Sequence, residues 1–146
     1  MGDLYDTDIV AWSERQADAL RHRAANEVDW DNVAEEIEDM GNERVHAVAS
    51  HLVQALLHDL KAEAWPASRD VPHWRAEARG QRDEARERYT PSMAQRPELR
   101  IERLYRRALR QMPDTEDGVA PLPVPATCPM TLEEILADEP APPEGQ

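Results

Sequence analysis

An acidic cluster and two histidines are the side chains whose types and spacing could do chemistry in this sequence. Glu35 and Glu36 follow Asn32 by about one helical turn. A carboxylate at Glu36 could bind a metal ion or act as a general base. It could equally pair with an arginine from another helix. The cluster as a whole could instead be a solvated face near a helix N-terminus, where negative charge contributes about 0.3–1 kcal/mol.

His51 and His58 lie seven residues apart, on the same side of a predicted helix. Two helical turns separate them by about 10.5 Å. Zinc–nitrogen bonds are roughly 2.0–2.1 Å long, so the two rings do not easily share one ion. A mixed site with Glu36 would make the chain a small metal-assisted enzyme. The other interpretation is a pair of histidines hydrogen-bonded between helices. We therefore assign no metal ligand, no cofactor and no catalytic residue.

Cys128 and the glycines offer little for catalysis. The cysteine is followed by Pro129 within a proline-rich segment, and no glycine elbow or clear helix N-terminus would activate its thiol. We expect its side chain to have a structural role, either packing against neighbouring residues or capping a helix. The five glycines are scattered singly, so the chain has no glycine-rich phosphate loop.

Arginines align on two predicted helices and are the candidate partner-binding residues. Guanidinium groups suit carboxylates and phosphates equally well. The faces could neutralise the acidic half of the chain or a second copy of it, bind nucleic acid, or simply be solvated. The residues are Arg75, Arg79, Arg82 and Arg86 on one helix and Arg100, Arg103, Arg107 and Arg110 on the next.

The charge of the chain is segregated along the sequence. The net charge is −13, but residues 69–110 hold 12 of the 17 basic residues and 7 of the 30 acidic ones. Strong overall acidity argues against general nucleic-acid binding. The asymmetry favours a self-associating protein-interaction or regulatory module that recognises its partner through charge complementarity between acidic and arginine-rich faces. An enzyme and a nucleic-acid-binding protein remain the alternatives.

The elements that would position these residues are all helical. Ala, Leu, Arg and Glu are abundant, phenylalanine is absent, and apolar residues recur at helical spacing. Gly41 is expected to end or bend the second helix. We predict an all-α, five-helix bundle-like domain over residues 1–138, with helices at about 6–25, 29–40, 42–64, 72–89 and 97–112.

The C-terminal quarter differs in composition from the rest. Residues 113–146 contain 8 of the 12 prolines and no basic residue. We predict a proline-rich strap over 113–138. Thr131 and Glu134 form a capping-box pattern for a short docking helix inside it. A disordered tail is expected over 139–146.

A cytoplasmic location without membrane contact is the expectation from the same sequence. The N-terminus is acidic and lacks an apolar segment of signal-peptide type. No apolar run is long enough to span a bilayer. The single cysteine cannot form an internal disulfide.

Several segments resemble the bacterial family known as domain of unknown function 29. The similarity covers most of residues 4–137. The resemblance implies an all-helical fold and no particular reaction. One departure is Asp59, where the family usually carries an apolar residue after the histidine. The matching residues are Trp12, Gln16, Ala17, Leu20, Arg21, Asp29-Trp30, Asn32, Ala34-Glu35-Glu36-Ile37-Glu38, Gly41, His58, Leu60-Lys61, Trp74-Arg75 and Thr127-Cys128-Pro129-Met130-Thr131-Leu132.

Overall fold

The computed structural model describes residues 2–137 and is helical, with no β-strand in that range. This confirms the all-α prediction. The predicted disordered tail, 139–146, lies outside the described residues. The helices are α1 (Gly2–Thr7), α2 (Ile9–Arg21), α3 (Trp30–Ala64), α4 (Val71–Arg88), α5 (Ile101–Arg110) and α6 (Leu132–Leu136).

The chain falls into two compact units, Met1–Glu43 and Arg44–Gln146. They are called the N-terminal unit and the C-terminal unit below. Nothing in this division tests whether the chain folds as the single domain predicted above, which therefore stays a prediction.

The N-terminal unit begins with two helices where one had been predicted over about 6–25. Asp8 separates them because its carboxylate accepts a hydrogen bond from the Ala11 backbone N–H at 3.0 Å, capping α2. At the other end of α2, Arg23 adopts a left-handed conformation with φ of 55°. The following N–H, of Ala24, donates to the Ala19 carbonyl at 2.9 Å. The helix thus ends in a Schellman motif that uses arginine in place of glycine.

Helix α3 runs through Gly41 without interruption, so the predicted break between residues 40 and 42 is wrong. A glycine in a helix interior costs about 0.5–1 kcal/mol relative to alanine. Continuing the helix retains the backbone hydrogen bonds on both sides. Met40 precedes the glycine, Glu43 and Arg44 follow it within one turn, and all three are good helix formers. No proline follows within α3, so the small cost does not end the helix.

The core of the C-terminal unit forms around the second half of α3. Val48, Leu52 and Val53 are almost completely buried there, as the apolar spacing predicted. The same cluster contains Leu104 from α5 and Ile135 from α6. A second cluster joins the two tryptophans Trp65 and Trp74, whose ring centroids lie 6.5 Å apart.

Helices α4 and α5 begin at proline-containing turns. Pro72 stands in the first turn of α4, where its missing N–H has no helical partner to lose. Helix α5 is shorter than the predicted 97–112, because Pro97–Leu99 forms a 3-10 turn and Arg100 is extended. The arginine face of α5 therefore starts at the residue that precedes the helix.

The proline-rich strap is fixed to its unit by backbone and side-chain hydrogen bonds. The Leu122 N–H donates to the Ala64 carbonyl at 2.9 Å, and the Tyr105 hydroxyl donates to the Pro125 carbonyl at 2.5 Å. The Thr131 hydroxyl accepts from the Glu134 N–H at 3.2 Å and caps α6. These contacts, with the burial of Ile135, confirm the predicted short docking helix.

None of the helices in the described part of the chain combines the length and apolar character that crossing a membrane requires.

Candidate functional site

The start of α3 is built around the carboxylate of Asp29. This carboxylate accepts hydrogen bonds from the Asn32 amide at 2.8 Å and from the Trp12 indole N–H at 3.3 Å. The Asp29 backbone N–H donates to Gln16 Oε1 at 2.7 Å. The Asn32 bond above all, and then the Trp12 bond, lower the pKa of Asp29 by stabilising its ionised form. Asn32, a member of the predicted polar cluster, thus stabilises the N-terminus of α3.

Glu36 accepts a hydrogen bond from the hydroxyl of Tyr5. This bond is the main reason why the pKa of Tyr5 is raised to about 12, with desolvation and the charge of Glu36 adding to it. Sequence analysis had considered an arginine as the partner of Glu36, and the structure supplies a tyrosine. Glu35, one residue earlier, is exposed.

Next to this polar edge, α3 presents an apolar stripe to solvent. Its members Trp30, Ile37 and Met40 are 57%, 60% and 64% exposed, and Val33 between them is partly buried. We call these four residues the α3 stripe. Helical spacing of apolar residues indicates that they share one face, but not that the face lies uncovered. The structure therefore adds an accessible apolar surface that sequence reasoning missed.

The two histidines lie in the C-terminal unit, and each uses one ring nitrogen in a hydrogen bond. His51 Nδ1 lies 2.7 Å from Gln81 Oε1, and His58 Nδ1 lies 2.7 Å from the Gln54 carbonyl oxygen. The Gln54 carbonyl oxygen can only accept, so His58 Nδ1 donates that bond, which lies within α3. Within residues 2–137, neither histidine belongs to a group of three potential metal-ligating side chains.

Asp59 connects α3 to α4 through two arginines. One carboxylate oxygen accepts from Arg82 at 2.7 Å and the other from Arg75 at 2.8 Å. The Arg82 side chain is 9% exposed, whereas that of Arg75 is 44% exposed. Asp59 therefore supplies the acidic partner that a nearly buried guanidinium such as that of Arg82 needs.

Arg86 stabilises the docking helix. Its guanidinium donates to the carbonyl oxygens of Leu136 and Ala137, both at 2.8 Å, at the C-terminus of α6. These carbonyls have no partner within their own helix, and a cation is favourable at that end of the helix dipole. Arg86 also contacts Asp83 at 2.6 Å.

The other candidate arginines differ from Arg75, Arg82 and Arg86 in their surroundings. In the part of the chain that the structure describes, their guanidinium groups form no ion pair or hydrogen bond, and all except the partly buried Arg107 are exposed. Four of them, Arg100 just before α5 and three within it, follow one side of this helix, next to its buried face. These five are Arg79, Arg100, Arg103, Arg107 and Arg110; the last four are called the α5 arginine face.

Three carboxylates meet at the turn that opens the strap, a cluster that sequence analysis did not predict. Oxygens of Asp70, Glu116 and Asp117 lie within 4.8 Å of one another. Asp70 stands 46 residues before Glu116 in the sequence. No local pattern could have revealed the cluster, because it depends on the strap returning to the start of α4.

Cys128 is partly buried against the core of the C-terminal unit. Burial raises the pKa of its thiol, with a hydrogen bond from the Met130 backbone opposing the shift. A thiol held in its protonated form is a poor nucleophile. The geometry is that of a packing residue.

Comparison with known proteins identifies the family. The model of the family described as "Domain of unknown function DUF29" matches residues 4–139, and the chain belongs to this family. Comparisons with curated proteins and with solved structures give no match. The function must therefore be inferred from the residues described above.

Proposed function

We propose that this chain is a cytoplasmic protein-interaction module, which docks a basic partner on the α3 stripe. The observation that carries the proposal is the exposure of Trp30, Ile37 and Met40 on one face of a regular helix. Large apolar side chains that remain exposed together are typical of interaction surfaces. Binding to such a surface is known from complexes in which an amphipathic helix packs its apolar face against an apolar surface of its partner.

Charge complementarity defines the partner. Residues 1–43 contain 13 acidic and 3 basic residues, and the segment of α3 from Trp30 to Glu43 has six carboxylates and no cation. A second acidic surface would be repelled by this segment. A basic surface would be attracted to the carboxylates beside the stripe, which raises the association rate and fixes orientation.

The partner that the chain itself can supply is the α5 arginine face of a second copy. Its guanidinium groups form no ion pair among the described residues, and its spacing places four positive charges on one side of a helix. If each copy offers its stripe to the arginines of the other, the two contacts are equivalent. Such reciprocal pairing closes as a two-fold symmetric dimer and does not extend into a filament.

The stripe is tested by a double substitution, Ile37→Gln with Met40→Gln, measured by sedimentation equilibrium. Glutamine keeps the helical propensity, so α3 should remain intact, which circular dichroism would check. Burying an apolar side chain contributes about 1.5–3 kcal/mol, so losing two should weaken self-association at least about tenfold.

Leu122→Gln is the matched control, because Leu122 is also about half exposed but lies on the strap of the C-terminal unit. It should associate like the unchanged protein. If the stripe variant also dimerises with unchanged affinity, the α3 stripe is not the docking surface.

A further inference from the structure

A cavity of about 460 Å³ lies between the end of α3, the turn before α4 and the strap. It lies entirely within the C-terminal unit and plays no part in the function proposed above. Its volume is in the range of small-molecule sites, about 300–1,000 Å³. The walls are mostly apolar, formed by Ala64, Trp65, Pro66, Ala67, Val119, Ala120 and Leu122.

Hydrogen bonds fix the walls of this cavity. The Trp65 indole N–H donates to the Val119 carbonyl at 2.9 Å, and the Leu122 N–H donates to the Ala64 carbonyl at 2.9 Å. These bonds hold the strap at a set distance from the end of α3. A ligand entering the cavity would therefore spend little of its binding free energy on ordering the protein.

Carboxylates line one side of the opening. Glu116 and Asp117 border the cavity, and Asp70 lies beside them within 4.8 Å. A tight turn holds the first two, because Glu116 and Val119 exchange backbone hydrogen bonds of 3.0 and 2.9 Å. Asp117 and Gly118 provide the positive φ values, 51° and 77°, that this turn requires.

The charges around the cavity favour a cation. Arg69 also borders it, yet within residues 2–137 this arginine forms no ion pair, and neither do the three carboxylates. Three acidic groups against one basic group leave the opening negative. Carboxylates this close repel one another, and a ligand cation placed between them relieves that repulsion.

We propose that the cavity binds a small organic cation, with an apolar body against Trp65 and Leu122 and an ammonium group beside Glu116 and Asp117. The apolar walls select a hydrocarbon or aromatic body of limited size. The carboxylates select positive charge over neutral or negative head groups. Neither feature alone defines this class of ligand, but the fixed apolar cavity and its acidic border together do.

The test uses three probes that share one apolar body and differ in charge: phenylbutylamine, phenylbutanol and phenylbutyrate. Each is titrated into the full chain in the presence of EDTA and followed by the NMR signals of the Trp65 indole N–H and the Leu122 backbone N–H. The amine should shift both signals and bind about tenfold more tightly than the alcohol. The carboxylate should not bind detectably.

The double variant Glu116→Gln with Asp117→Asn removes the charge while preserving shape, and asparagine tolerates the positive φ at position 117. It should lose the preference for the amine and bind amine and alcohol equally. The control Glu77→Gln with Glu87→Gln removes two exposed carboxylates from α4 and should keep the preference. Equal binding of amine and alcohol to the unchanged protein, failure of the amine to shift either signal, or a preference that survives the first variant would overturn the proposal.

Discussion

At the scale of single residues, the bond between Tyr5 and Glu36 shows how a candidate catalytic carboxylate can serve a structural purpose. The hydroxyl donates to the carboxylate and joins α1 to α3 within the N-terminal unit. Trp12 packs edge-on against the Tyr5 ring, with centroids 4.7 Å apart. The polar side of α3 is thereby held against α1 and α2, while the α3 stripe faces solvent.

The pH dependence of this bond follows from the pKa of Tyr5, which is raised to about 12. The folded protein holds the phenolic proton more tightly than the unfolded chain does, where the pKa is about 10. The stabilising contribution is therefore complete below about pH 10 and is lost as the pH rises through about 12. An ultraviolet difference titration, with Tyr5→Phe to isolate the signal, should show Tyr5 still protonated near pH 11. Glu36→Gln should bring its ionisation back toward pH 10.

If Tyr5 ionised near pH 10 in the unchanged protein, the bond to Glu36 would not persist in solution.

Sequence reasoning at this scale identified residues better than partners. The residue types and spacing singled out Glu36, and they allowed His51 and His58 to be either metal ligands or hydrogen-bonded between helices. Only His51 bonds to another helix, whereas His58 bonds to Gln54 within α3. Sequence reasoning could not supply Tyr5 or Gln81, because each lies about 30 residues from its partner along the chain. A pairing at that separation depends on how the helices pack, which no local pattern encodes.

At the scale of elements, Asp59 is the main polar connection between α3 and α4. Arg82 projects from a face of α4 that is otherwise apolar, beside the buried Trp74, Ala78 and Ala85. A guanidinium in such surroundings requires a carboxylate, since an uncompensated buried charge is strongly destabilising. An apolar residue at position 59 would not meet that requirement.

Replacing Asp59 should therefore cost more than replacing its exposed partner. Asp59→Ala removes the acceptor of two charged hydrogen bonds, one to a nearly buried arginine, and should lower the free energy of unfolding by about 2–3 kcal/mol. Arg75→Ala removes only the exposed half and should cost about 0–1 kcal/mol. Urea unfolding followed by circular dichroism measures both. Equal losses in the two variants would show that the pair with Arg82 contributes nothing beyond a surface ion pair.

The helix boundaries show where local sequence preferences predict a helix end correctly and where they allow more than one outcome. The capping pattern of Thr131 and Glu134 correctly predicted α6, because its hydrogen bonds are local. Gly41 does not end α3, because glycine is compatible both with a helix end and, at modest cost, with a helix interior. Asp8 falls inside the single helix predicted over about 6–25, but its carboxylate caps α2 and so separates this helix from α1.

At the scale of the molecule, the most important property is the segregation of apolar and charged surface. Six of the eight large apolar side chains that the described structure leaves exposed belong to residues 1–43, which are also strongly acidic. Helical spacing reveals which residues share a face, but not whether another element covers that face. The sequence could therefore predict the alignment of the arginines, but not which apolar and charged groups would remain without an intramolecular partner.

The most direct test of the proposed interaction is the mass of the purified, untagged chain by light scattering at low and high salt. The proposal predicts a dimer at low salt that weakens as salt is added, because screening reduces attraction between the acidic α3 segment and the α5 arginine face. Arg103→Glu should weaken the dimer at low salt as well. A monomer at every salt concentration would contradict self-association through these surfaces.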